Sequence, residues 1–300
     1  MPRRAPALVA TALLAATVAG CAAAGGASAP VPAPAGASGR PAPGGDDRTL
    51  QLAEQLLIKG CMEKRGFAYW TEEPRTAADG ARRFPYVVDD PAWARAHGYG
   101  TDLYRARQRE VLRDPNQRYL RSLPASRGPA LVSALNGARP QGLSARLPNG
   151  VRVTHSDQGC AAEAQRELYK DLPAWFRATR VRDSLDGMRV GLVLGDAKYR
   201  AATEPWARCL RGRGYPYRSP AEARAAATEP GREWPHAREV RLASAEAACA
   251  ESTGLASVAK SLDAKYRTEL RRRYPEEAAD LARLRREALP RARAIVARGD

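Results

Sequence analysis

The chain has 300 residues, with 49 Lys and Arg against 33 Asp and Glu for a formal charge of +16, and only three phenylalanines among its 44% hydrophobic residues. Such a length has room for one larger domain or two smaller ones, and so thin an aromatic content argues for a core supplemented by crosslinks. A cytoplasmic protein this basic would suggest nucleic acid, but the opening of the chain reads as an export signal, which removes that partner.

Arg3 and Arg4 precede an apolar stretch from Ala5 to Val18, and the small-residue run Val18-Ala19-Gly20-Cys21 follows. The 14 residues of that stretch would rise about 21 Å as a helix, short of the roughly 30 Å hydrocarbon core, so a cleaved signal is expected and not a membrane span. Because Cys21 falls at the cut itself, the run resembles the lipobox of bacterial lipoproteins, which implies that this thiol is acylated and becomes the mature N-terminus. Plain secretory cleavage after Ala22-Ala23-Ala24 is the alternative. A twin-arginine route is disfavoured by Pro6 and Ala7, which stand where a bulky hydrophobic belongs. Removal of residues 1–20 takes away two arginines and no acid, leaving +14.

Ala22 to Gly45 is nearly all Ala, Gly, Ser and Pro, a composition that cannot bury enough apolar surface to offset ordering entropy. The expected organisation is a signal peptide at 1–20, a disordered tether at 21–47, a first helical unit at 48–190 and a second at 191–300. Within the first unit, Leu50, Ala53, Leu57 and Cys61 line one helix face, with Asp47 placed to cap it. Short helices are expected at 103–112 and 117–123, separated by Asp114-Pro115-Asn116. A hairpin is expected over 145–154 around Pro148-Asn149-Gly150. This region has no counterpart in the second unit and reads as an insertion. Cys160 to Arg180 is again helical.

In the second unit Ser219-Pro220-Ala221-Glu222 is a capping box, and Val240 to Glu251 continues as helix. Leu255, Val258, Leu262 and Tyr266 mark another, extended through Leu270, Leu281 and Leu284 toward Ile295. Its outer face carries Arg271, Arg272, Arg273, Arg283, Arg285 and Arg286, interleaved with Glu276, Glu277, Asp280 and Glu287, the pattern of a solvated face.

With Cys21 assigned to lipid, Cys61, Cys160, Cys209 and Cys249 remain, an even number that allows two disulfides in three pairings. Ile58, Cys61, Met62, Gly66, Phe67 and Tyr69 recur at identical spacing as Trp206, Cys209, Leu210, Gly214, Tyr215 and Tyr217, and each copy is followed by one further cysteine near a helical segment. The economical pairing is Cys61 with Cys160 and Cys209 with Cys249. No Cys-x-x-Cys occurs, and His97, His155 and His236 show no ligand spacing, so neither metal nor any other cofactor is expected.

Trp206-Ala207-Arg208-Cys209, Gly214-Tyr215-Pro216-Tyr217 and the run from Ala247 to Leu255 resemble an element of a family of uncharacterised secreted proteins and lipoproteins of actinobacteria. The resemblance covers residues 196–298, and 159–171 more weakly. It implies a helical, cysteine-paired protein outside the cytoplasm and brings no catalytic residue. Motifs for catalysis are thin. Ser257-Val258-Ala259-Lys260 matches a penicillin-recognising Ser-x-x-Lys, without its Ser-Asp-Asn and Lys-Thr-Gly companions. His97 or His155 could act as a base, and Asp89-Asp90 or Glu72-Glu73 as paired acids, only with partners brought together in space. Tyr69, Trp70, Tyr215 and Tyr217 read as core aromatics or as the lining of a glycan or peptide groove. The expectation is a mainly α, disulfide-stapled, lipid-anchored protein on the outer face of the cell membrane. It acts without catalysis as an envelope binding or scaffolding module toward anionic lipid or wall polymer. The competing reading is a wall-active hydrolase with no recognisable motif.

Overall fold

The computed structural model describes residues 45–72, 82–229, 231 and 234–299. Cys21, the signal and the tether up to residue 44 lie outside them, as does Glu73. Among the described residues there are twelve helices and one two-stranded sheet, so the chain is mainly α-helical with a small hairpin. No described helix is long and apolar enough to cross a membrane.

Helix α1, Gly45–Lys64, begins two residues before Asp47, so that residue stands in the first turn and not at the cap; its carboxylate meets Arg285. Residues 45–47, assigned to the tether from composition, are thus helical. Beyond the segment 82–90 come α2, Pro91–His97, α3, Thr101–Arg113, α4, Pro115–Ser122, and α5, Arg127–Asn136. Asp90 and Asp114 open α2 and α4 by accepting hydrogen bonds from Trp93 N and Gln117 N at 2.9 and 2.8 Å. The hairpin pairs β1, Gly142–Arg146, antiparallel with β2, Arg152–Ser156, in the register Gly142 to Ser156 and Arg146 to Arg152. The strands are longer than the turn chemistry suggested because Leu143 and Ala145 alternate inward against Leu172 and Phe176.

Helix α6, Cys160–Tyr169, and α7, Leu172–Gly195, replace the single helix expected from Cys160. Lys170 takes a positive φ of 63° and Asp171 caps the restart by accepting from Ala174 N at 2.9 Å, with proline in the new first turn. Then follow α8, Ala197–Gly212, α9, Pro220–Thr228, α10, His236–Ser252, α11, Leu255–Arg273, and α12, Pro275–Arg298. The long C-terminal helix expected from periodicity is broken at Tyr274, because Pro275 lacks the N–H that would continue α11.

Both ends of the described fold share a core. Leu50 and Ala53 of α1 pack with Leu168 and Tyr169 of α6 and with Ala288, Ala292 and Ile295 of α12. A second cluster joins α8 to α11 around Trp206, Leu210, Leu242, Cys249 and Leu255 and takes in Val87 from the segment 82–90. Alanines hold many of these contact positions, so the helices approach closely and the core needs little aromatic volume.

Candidate functional site

Helix α8 has two faces. Tyr199, Trp206, Ala207 and Leu210 are buried. Arg200, Glu204, Arg208 and Arg211 recur at spacings of four, four and three, which aligns them as one stripe along the helix surface. Across from that stripe stands the start of α9. Ser219 caps it, its Oγ accepting from Glu222 N at 3.2 Å, while Glu222 Oε2 reaches back one residue before the cap to accept from Arg218 N at 2.7 Å.

The third wall is the segment 82–90, which has no regular structure and is held by side chains from four helices. Tyr199 Oη donates to the Tyr86 carbonyl at 2.8 Å, and Tyr86 Oη donates to Asp263 at 2.5 Å. Val88 N donates to Glu246 at 2.8 Å, and the Arg224 guanidinium donates to the Phe84 carbonyl while lying 5.8 Å from the Tyr99 ring. Burial, reinforced by Asp263, pushes the Tyr86 phenol up to about 12, so it stays a donor throughout the physiological range.

Between these walls lies a groove of about 650 Å³, lined by five arginines, Arg200, Arg208, Arg211, Arg218 and Arg224, against one acid, Glu204. Arg200, Arg208, Arg211 and Arg218 form no ion pair with any described residue. Elsewhere some arginines are paired with described acids and others, such as Arg271, Arg272 and Arg286, are not. Arg189 binds Asp263 and Asp186 at 2.8 and 2.7 Å, and on α12 Arg283 meets Asp280 and Glu287 while Arg285 and Arg293 reach Asp47 and Asp46 of α1. The C-terminal arginine run singled out in the sequence is thus partly neutralised within the fold, whereas the groove's charge is not. A guanidinium cannot lose its proton near neutral pH, so the groove holds fixed positive charge that an incoming carboxylate or phosphate can engage in bidentate fashion.

A second cluster supports the site from behind. Glu239 and Glu246, seven residues apart on the buried face of α10, are both fully buried. Glu239 accepts from Tyr99 N at 2.8 Å, from Thr101 N at 3.3 Å and from the Thr101 hydroxyl; Glu246 accepts from Val88 N and from Tyr99 Oη at 2.5 Å. Desolvation raises the Glu246 carboxyl to about 7 against the opposing pull of these two hydrogen bonds and of the Arg224 charge. These acids replace the missing secondary structure of the α2–α3 corner and of segment 82–90 with side-chain acceptors.

Both sulfur bridges are present. Cys61 joins Cys160 with Cα atoms 5.5 Å apart, and Cys209 joins Cys249 at 5.7 Å. Cys61, Cys160 and Glu163 cluster closely enough to suggest a metal site, but both sulfurs are consumed in the bridge and offer no thiolate. The remaining candidates are dispersed. Ser257 is exposed on α11 while Lys260 reaches Asp89 at 3.4 Å. Asp90 is occupied at the α2 cap, so the adjacent acids point apart. His97 binds Asp102 at 2.8 Å against the Trp93 ring, His155 sits on β2 with its Nδ1 2.9 Å from the Ser156 carbonyl, and His236 meets the Ala96 carbonyl at 3.3 Å. Glu72 N donates to Gln55, in the first unit. Tyr215 and Tyr217 pack on the Trp206 core and Tyr69 on the Met62 core; Trp70 alone of the four is 42% exposed, edge-on to Tyr119.

Sequence reasoning missed the groove and both buried acids. The α8 stripe was visible as spacing, and Glu239 and Glu246 as acids sharing a helical face with Leu242, Ala243 and Ala250; what the stripe faces was not visible. No protein-family model, curated protein or solved structure matches this chain.

Proposed function

We propose that the protein is a non-catalytic binding module of the cell envelope, held at the outer face of the membrane by acyl groups on Cys21, and that it captures anionic lipid or wall polymer in the arginine groove. The observation that carries this reading is the set of four guanidinium groups on Arg200, Arg208, Arg211 and Arg218 with no described counter-ion, gathered in one groove. Two disulfides fit an oxidising compartment, where phosphate-bearing lipids and polymers are the abundant polyanions.

Binding through charge is screened as the Debye length shortens from about 10 Å at 0.1 M salt to about 3 Å at 1 M. The protein should therefore sediment with purified cell walls or with vesicles rich in anionic lipid at low salt and be released at high salt. R208E/R211E should abolish most of that binding without altering the circular dichroism. Release of soluble wall fragments over time would overturn the reading in favour of a hydrolase.

A further inference from the structure

We infer that the groove's ligand is an amphiphilic phosphate, a phosphate ester bearing an apolar chain, and not a hydrophilic polyphosphodiester; this rests on the anion-binding reading of the same groove. The inference comes from what the walls leave unsatisfied. Every neutral hydroxyl donor on the α8 and segment 82–90 walls is already committed inside the protein: Tyr86 Oη to Asp263 at 2.5 Å, Tyr199 Oη to the Tyr86 carbonyl at 2.8 Å, and Thr203 Oγ1 to the Tyr199 carbonyl at 2.9 Å. What Tyr86, Tyr199 and Thr203 themselves offer beside the α8 arginines is ring carbon and methyl group.

Pro85 and Leu194 extend that apolar surface, with the buried Ala207 and Pro220 behind it. Leu194 is 39% exposed at the end of α7, where a lone large aliphatic side chain stands at the groove. The lining is thus dominated by guanidinium and hydrocarbon, with the Glu204 carboxylate and the Ser219 hydroxyl as its other polar side-chain groups beyond the committed hydroxyls. A sugar-phosphate or glycerol-phosphate polymer has hydroxyls that need neutral partners and would cover the apolar wall with water-seeking groups. A lipid phosphate matches both parts, its head on the arginines and its chain on the wall, and each methylene buried multiplies affinity by about fourfold. The volume of about 650 Å³ is that of a small-ligand pocket and not of an extended polymer track.

The test is calorimetric titration of the full chain carrying Cys21→Ser, so that no acyl group of its own competes. The probes are dihexanoyl phosphatidic acid below its micelle concentration, inorganic phosphate and a short poly(glycerol phosphate). Dihexanoyl phosphatidic acid should bind at least about tenfold more tightly than either other probe, the gain from burying about two methylenes. R208E/R211E should weaken all phosphate binding, whereas Leu194→Gln, at a half-exposed position, should lower lipid affinity severalfold and leave inorganic phosphate unchanged. If poly(glycerol phosphate) binds as tightly as the lipid, the amphiphile inference fails and the anion-binding reading stands. If no probe binds, both fail. Lipid binding that neither variant weakens would place the ligand elsewhere and overturn the inference.

Discussion

Glu246 lies within an alanine-rich helix face, yet its two oxygens hold Val88 N of segment 82–90 and the Tyr99 hydroxyl of the α2–α3 corner. Its pKa in the fold, about 7, lies above the ordinary 4.5, so the folded chain holds this proton more tightly than the unfolded one. Its contribution to stability is therefore complete below about pH 4.5 and is lost as pH rises through about 7, a difference on the order of 3 kcal/mol. Thermal unfolding followed from pH 5 to pH 8 should show a steeper loss of midpoint in the wild type than in Glu246→Gln; parallel profiles would contradict the assignment. The neighbouring corner is equally demanding. Gly98 has φ 59° and ψ −121°, and a Cβ there would stand 2.8 Å from Glu239 Cγ. Gly98→Ala should cost about 2 to 4 kcal/mol from the combined backbone strain and displacement of a buried carboxylate, read as a lowered urea midpoint. Neither acid announced itself in the sequence as more than a charge on a helix, because a buried carboxylate is recognised by the donors it accepts from, and those lie 138 to 158 residues away.

At the scale of elements, each bridge ties a helix of the repeated Cys-Gly-aromatic pattern to a second helix, α1 to α6 and α8 to α10. The bridges close 99 and 40 residues of chain, for which loop entropy gives about 5 and about 4 kcal/mol. Replacing Cys209 and Cys249 together by alanine should lower the free energy of unfolding by about that smaller amount and loosen the α8 wall of the groove. Replacing Cys61 and Cys160 should cost more; equal stabilities by urea titration would show that neither bridge constrains the unfolded chain. The helices themselves were largely legible: the α1 face, the capping box of α9, the α10 run and the hairpin turn are all local patterns. The breaks were less so. Apolar spacing runs straight through Tyr274 and through Lys170, and periodicity alone cannot weigh a continuous stripe against the missing N–H of Pro275 or the cap at Asp171.

For the molecule as a whole, α1 packs on α12, and Asp46 and Asp47 at the start of α1 pair with Arg293 and Arg285. The chain therefore enters the fold beside its C-terminal helix, and residues 21–44 connect that point to the proposed anchor. Replacing Cys21 by Ser should move the protein from the membrane fraction to the medium; retention would contradict lipidation. By itself the sequence determined the helical class, the hairpin, the four cysteines of the two bridges and the excess of arginine. These follow from spacing, capping and composition, which act within a few residues. Only the tertiary structure decided which arginines are neutralised and which are not. That outcome depends on how α8, α9 and segment 82–90 meet across separations of 113 to 140 residues, and Coulomb attraction falls with distance in space and is blind to distance along the chain.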